Sequence, residues 1–212
     1  MALDFWRLAP YSLTMMNNAA ARFLFEVGML KKTPRTGYRF LGSGGESVAE
    51  HSFRTAVIGY VLASGVPGAD GHRVVLMCLM HDFHEARTDD HNYVYKRYVK
   101  VDEVRAVGDM VENLPFGGQI ETLTHEFNAA ETLEARLSKD ADQLDLILSL
   151  KEQQDLGNPY AKEWLAFALK RLLTDSGKQL ASEILGTDST EWWFDRQTDW
   201  WVNGPDDQSH KG

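Results

Sequence analysis

The sequence predicts an all-α domain, on three observations. Apolar residues recur at intervals of three and four over segments of helix length. No stretch alternates apolar and polar residues as a half-buried strand does. Gly, Pro and capping residues fall between the periodic segments, where helices would have to start and stop. At 212 residues the chain is long enough to bury one full core, with no composition break that demands two domains. Residues 1–186 therefore read as a single helical bundle and 187–212 as a C-terminal extension.

The first periodic segment, 12–29, carries Leu13, Met16, Ala20, Phe23, Leu24 and Val27 on one face. Gly28 weakens that helix and Pro34 stops it. The next stretch, LKKTPRTGYRFLGSGG from Leu30 to Gly45, reads as loop and holds Lys31, Lys32, Arg35 and Arg39. It reads equally as an anion site beside an acidic centre or as a solvated charged loop. Ser47 and Glu50 have the Ser-x-x-Glu form of a capping box, which starts a helix running to about Leu62.

A further helix is expected from Gly71 to about Arg87, apolar nearly all round at Val74, Val75, Leu76, Cys78 and Leu79, and hence central in the bundle. Turn-formers at Thr88 to Asn92 end it. The aromatic run YVYKRY, residues 93–98, then reads as packing or dimer surface in preference to a base-stacking platform. Residues 101–113 form another helix, stopped at Leu114-Pro115. Residues 120–154 form a long one, broken near Ala129, with an apolar stripe of Leu133, Leu137, Ala141, Leu144 and Leu148. Glu134, Lys139 and Lys151 are assigned to water. Residues 160–173 and 178–185 supply the last helices. The extension repeats a Trp pair, Trp192-Trp193 and Trp200-Trp201, which is expected to dock on the body or on a second subunit. Residues after Asn203 read as disordered.

A net charge of −9 argues against a nucleic-acid surface, since phosphate contacts need clustered Lys and Arg. A small phosphorylated ligand needs only a local basic patch. The single cysteine, Cys78, lies in an apolar run and reads as a buried hydrophobe in a reducing compartment. No run of 18 apolar residues and no signal-like N-terminus occur, so a soluble, cytoplasmic protein without membrane contact is expected.

The chemistry concentrates in LMCLMHDFHEARTDD, residues 76–90, where His81-Asp82 follows an apolar run at once. An imidazole and a carboxylate buried together need compensation, and a divalent ion is the usual one. Other segments offer partners: His51 in the first turn of its helix, and Asp140, Asp142 and Asp145 on the long one. Asp142 and Asp145 are spaced i and i+3 while Asp140 points elsewhere, so only one or two of these carboxylates can face a buried site. Glu85 stands one turn beyond His81 on the same face. Asp82, one position round, reaches a common ion only from the helix edge.

His51, the His81-Asp82 pair and Asp142 in a Lys-x-x-Asp-x-Leu context resemble the H…HD…D signature of the HD-domain phosphohydrolases. More narrowly, LKKTPRTGYRF, ESVAEHS, HDxxEA and KDADQLDLIL are similar to the 5'-deoxynucleotidase branch, over about residues 15–156. The resemblance implies an HD-type bundle that holds one divalent ion (Mn, Co, Ni, Fe, Zn or Mg) through His51, His81, Asp82 and Asp142. It implies Glu85 and Asp90 as catalytic acids or bases, Lys32 or Arg35 as the phosphate-binding cation, a nucleoside 5'-monophosphate as substrate, and a homodimer. His84 and the longer loop at Phe40 to Gly45 depart from the pattern and leave substrate choice open. A nucleoside triphosphate or guanosine tetraphosphate hydrolase, and a non-catalytic helical module with a structural metal, are the alternatives.

Overall fold

The computed structural model describes residues 18–198 and 200–204, and helices account for its regular structure; among those residues there is no β-strand, only an isolated bridge between Pro34 and Ser47. The expectations for residues 1–17 and for the chain after Gly204 lie outside the described residues. Helix α1 spans Ala19–Val27 and tightens into a 3₁₀ turn at Gly28–Lys31. The stretch read as pure loop contains a short helix, α2, Tyr38–Leu41, which Gly42 ends in the left-handed conformation open to glycine.

Helix α3 runs Val48–Ser64 from the expected capping box: Ser47 Oγ accepts from the Glu50 N–H, and Glu50 accepts from the Ser47 N–H at 2.6 Å. Helix α4 is Gly71–Met80, capped by Asp70. It is shorter than its sequence pattern suggests, because residues 81–84 tighten into turns before α5, Glu85–Thr88. Helices α6, Glu103–Val111, α7, Gly117–Ala129, and α8, Leu133–Asp155, follow. The break between α7 and α8 falls where expected: Ala130 is left-handed (φ 53°), and the Thr132 hydroxyl caps the new helix. Helices α9, Ala161–Ala168, and α10, Asp175–Gly186, complete the body.

The centre of the bundle is α8, which packs against α3, α4, α7, α9 and α10. Leu137, Ala141, Leu144, Ile147 and Leu150 are buried along it. Helix α4 is central as expected, packing against α3, α7 and α8 and burying Val74, Met77 and Cys78, although Leu79 is 37% exposed. Lys151 is likewise inside and not in water, because its ammonium is held by Asp155 one turn on at 2.5 Å. Helices α3 and α4 approach closely at Gly59, where an added Cβ would lie 2.8 Å from Cys78 Sγ and 3.0 Å from Val74 Cγ1. A smaller cluster of Phe23, Val107, Met110, Val111 and Ile120 closes the side formed by α1, α6 and α7.

In the extension, Trp193, Phe194 and Trp201 pack on one another, with ring centroids 5.0–5.7 Å apart. Trp192, 85% exposed, does not dock on the body of its own chain. The Ser189 N–H donates to Asp155 at 2.9 Å, which ties the start of the extension to the end of α8.

Candidate metal and catalytic centre

His51 enters the core from the first turn of α3 with no exposed surface. Its Nδ1 faces Asp145 Oδ2 at 2.6 Å, so that in the neutral ring the proton sits on Nδ1 and the lone pair on Nε2. His81, at the C-cap of α4, is held the same way by the Cys78 carbonyl, 2.8 Å from Nδ1. Phe127 backs its ring at a centroid distance of 4.7 Å. The two Nε2 atoms therefore point at each other, 3.3 Å apart.

Two carboxylates join them. Asp82 Oδ2 lies 3.1 Å from His81 Nε2 and 3.6 Å from His51 Nε2, and Asp142 Oδ1 lies 3.3 Å from His51 Nε2. That adjacent residues both reach this point has a local cause. Beyond Met80 the backbone switches to i→i−3 hydrogen bonds, Phe83 to Met80 and Glu85 to Asp82, and the tighter turn swings Asp82 towards the face of His81.

Carboxylate oxygens and imidazole nitrogens this close need positive charge among them, either a proton on Nε2 or a cation. Nitrogen and oxygen ligands about 2.1 Å from one ion stand roughly 3 Å apart, the spacing seen here. The same need shows in the ionisation of these groups. Burial and Arg35 oppose charge on His51, yet Asp142 and Asp145 outweigh both and push its pKa up to about 10. Asp82 and Asp142 are driven by burial towards the neutral form, but the two imidazoles, with Arg35 helping at Asp82, hold both below the usual carboxylate range. The donor set fits a borderline divalent ion.

Of the four aspartates on α8, Asp142 reaches His51 Nε2 directly, Asp145 stands behind His51 and Asp155 lies at the end of the helix. Asp140 is buried on the far side, where it accepts from the N–H groups of Leu173 (2.7 Å) and Thr174 (2.8 Å) at the start of α10. Gly177 passes so close to Asp140 that a Cβ there would sit 2.8 Å from its Cγ. Asp140 is thus a fixture of the fold.

A cavity of about 580 Å³ opens over this cluster, with Arg35, Glu46, Asp82, Glu85, Asp90 and Asp142 in its wall. Arg35 lies 3.5 Å from Asp82 and 3.8 Å from Glu46. Burial opposes its charge, but the carboxylates of Asp82, Asp142, Asp90 and Glu85 together outweigh it, so a fixed cation faces the acids. Lys32, the other candidate, is exposed and does not line this cavity. Glu85 is buried, and its Oε2 has no hydrogen-bond partner among the described residues. Burial, and after it Asp82 and Asp90, push the Glu85 carboxyl up to about 9; a cation among those carboxylates works in the opposite direction. Asp90 is fixed by Thr36, whose N–H donates to Oδ2 at 2.6 Å and whose hydroxyl donates to its carbonyl at 2.8 Å. His84 brings a ring nitrogen within 4.8 Å of carboxylate oxygens of Asp82 and Glu85, lies 3.9 Å from Glu103, and borders a separate cavity.

The supporting residues were not assigned from the sequence. Asp145 was visible as the i+3 partner of Asp142. Arg54, one turn beyond His51, donates from Nε to Asp145 Oδ1 and from Nη1 to Glu152 at 2.6 Å. The Thr36–Asp90 tie spans 54 residues and leaves no local signal.

Comparison with known proteins places this geometry in context. The HD domain family matches the chain over residues 27–184. The 5'-deoxynucleotidase HDDC2 of Mus musculus is 31% identical over 143 residues, 65% of this chain and 71% of that protein. The 5'-deoxynucleotidase hdd1 of Schizosaccharomyces pombe is 28% identical over 142 residues, 62% of this chain and 71% of the relative. A conserved hypothetical protein from Pyrococcus furiosus superposes with a TM-score of 0.68 at 29% identity, covering 78% of this chain and 98% of its own.

Proposed function

The chain belongs to the HD domain family, and from that premise we propose a metal-dependent phosphomonoesterase that releases phosphate from deoxynucleoside 5'-monophosphates. The observation that carries the proposal is the meeting of His51 and His81 with Asp82 and Asp142, two carboxylates that line a cavity together with Arg35, Glu85 and Asp90.

His51, His81, Asp82 and Asp142 would hold one divalent ion. Such an ion supplies Lewis-acid polarisation of the phosphoryl group and lowers the pKa of water within its reach. The rest falls to the chain's own side chains. Arg35, charged and partly screened by Asp82 and Glu46, binds and orients the phosphate oxygens. Glu85 offers the unpartnered Oε2 to the attacking water and accepts its proton as the new P–O bond forms. The bond from phosphorus to the 5' oxygen breaks, and that oxygen takes up a proton from a water held at Asp90, the hydroxide left behind being neutralised by the proton that Glu85 gained. Thr36 keeps the Asp90 carboxylate in one orientation for that role.

The test is a phosphate-release screen of mononucleotides across a panel of divalent ions, with metal analysis of the purified protein. Orthophosphate from a deoxynucleoside 5'-monophosphate is expected from wild type. The His51→Ala, Asp142→Asn double variant should fold, bind little metal and lose that release. Pyrophosphate or triphosphate release, or wild-type metal content in the double variant, would overturn the assignment.

We also propose that the protein works as a homodimer in a reducing, cytoplasmic setting. Phe53, Val57, Tyr60 and Val61 follow one another at helical spacing along the outer face of α3 and are 49–69% exposed, a stripe that water does not favour. Cys78 is buried and free. No described helix is long and apolar enough to cross a membrane. Light scattering at micromolar concentration should give twice the 24.0 kDa chain mass, and a Tyr60→Glu, Val61→Glu variant should give the monomer mass. A wild-type monomer would refute the dimer and leave the chemistry standing.

A further inference from the structure

The cavity is much longer than a phosphate site needs, and its two ends differ in chemistry. Asp142, Leu146 and Leu150 all line it and stand four residues apart on α8. At 1.5 Å per residue they mark a wall about 12 Å long, leading from the acidic centre to an apolar end. That length is comparable with a nucleotide from its phosphate to the far edge of its base. The far end is walled by Tyr38, Leu41, Leu146, Leu150, Trp164 and Phe167.

Helix α9 runs back along α8. Arg171, just beyond it, donates to Gln143 Oε1 at 3.3 Å, and this pairs the stretch after α9 with the part of α8 next to Asp142. Trp164 precedes Arg171 by seven residues and Leu150 follows Gln143 by seven, which sets Trp164 across from Leu150 at the apolar end. Trp164 packs partly on the core while still lining the cavity. Arg171 also lies over the Tyr93 ring, 4.9 Å from its centroid, so its charge is engaged beside the acidic end.

We propose that Trp164 is the principal determinant of nucleobase binding, taking the base against its indole with Leu146 and Leu150 as the opposing apolar wall. The inference rests on the phosphomonoesterase reading and adds the part of the substrate that site selects. Stacking on an aromatic face is available to every base, so the site admits purines and pyrimidines alike and asks mainly that a base be present. Phe167, one turn further along α9 and 63% exposed, borders the same subsite from its mouth.

The test compares a deoxynucleoside 5'-monophosphate with 2-deoxyribose 5-phosphate, which lacks the base. Trp164→Leu keeps apolar bulk without the aromatic face, and Trp164→Phe restores a smaller one. For the nucleotide, Trp164→Leu should raise KM about tenfold or more with kcat little changed, and Trp164→Phe should recover much of the loss. For the base-free substrate all three proteins should perform alike. If Trp164→Leu leaves nucleotide KM unchanged, or impairs both substrates equally, the base subsite is elsewhere and this inference fails alone. If wild type hydrolyses neither compound, the phosphomonoesterase reading fails, and the subsite with it.

Discussion

Glu85→Gln is expected to lower phosphate release about 10²-fold or more while leaving metal content and folding intact, the usual scale for removing a general base. Glu85 lies beside the four converging acceptors without being one of those at closest approach, and its Oε2 is buried with no described partner. An amide of the same shape keeps the packing but cannot take the proton from water. Stability should hold or rise slightly, because the substitution removes one of several crowded carboxylates. Parallel assays of turnover and bound metal decide the matter. Unchanged turnover would make Glu85 a bystander, and loss of metal together with activity would make it a ligand.

Asp145→Asn is expected to act through His51, although Asp145 is not among the proposed ligands. Its carboxylate fixes the His51 tautomer from behind at 2.6 Å and receives Arg54 on its other oxygen. Loss of such a partner typically weakens metal binding about 10–100-fold. Folding stability should fall by about 2–3 kcal/mol, less than for a wholly buried pair, because Arg54 is 30% exposed and retains Glu152. The pH response has a definite sign. Although burial opposes its charge, His51 and Arg54 depress the Asp145 pKa, so the stability it contributes is full above the ordinary carboxylate range and is lost as pH falls through the lowered value. Metal titration and denaturant melts of wild type and variant at neutral and acid pH would show both effects, and equal metal affinity would refute the link.

The helices and their order were legible in the sequence because each has its own punctuation: the Ser47–Glu50 box, Asp70, Thr132 and the Gly and Pro pairs between them. The candidate ligands were legible for another reason. Polar residues next to apolar runs, at His51 and His81-Asp82, have no cheap place in a metal-free core, whereas Asp142 was separated from Asp140 and Asp145 only by its resemblance to the HD-domain pattern. Periodicity could not show that the helix carrying His81 tightens at residues 81–84, since i→i−3 and i→i−4 bonding share an apolar pattern over one turn. Nor could it show that α4, packed against three neighbours as expected, leaves Leu79 at the surface, because that position has no signature in its own sequence. Arg35 could be separated from Lys32 only by the course of the loop between α1 and α3. Lys151 was misplaced because nothing in its own neighbourhood shows that its stem is covered, while its partner Asp155, one turn on, stays at the surface.

The close approach at Gly59 acts as a gauge for the distance between the histidines. Helices α3 and α4 meet there with Gly59 against Cys78 and Val74, and His51 lies eight residues before Gly59 while His81 lies three after Cys78. Both imidazoles are thus carried on the two arms of one pair of tongs, with the missing side chain at the rivet. A methyl group at position 59 would wedge the arms apart by a few tenths of an ångström or more, and a lever of two helical turns would widen the 3.3 Å gap between the Nε2 atoms. The affinity of the proposed centre for its ion would therefore be set partly at a position that touches no proposed ligand, by a residue whose contribution is the space it leaves.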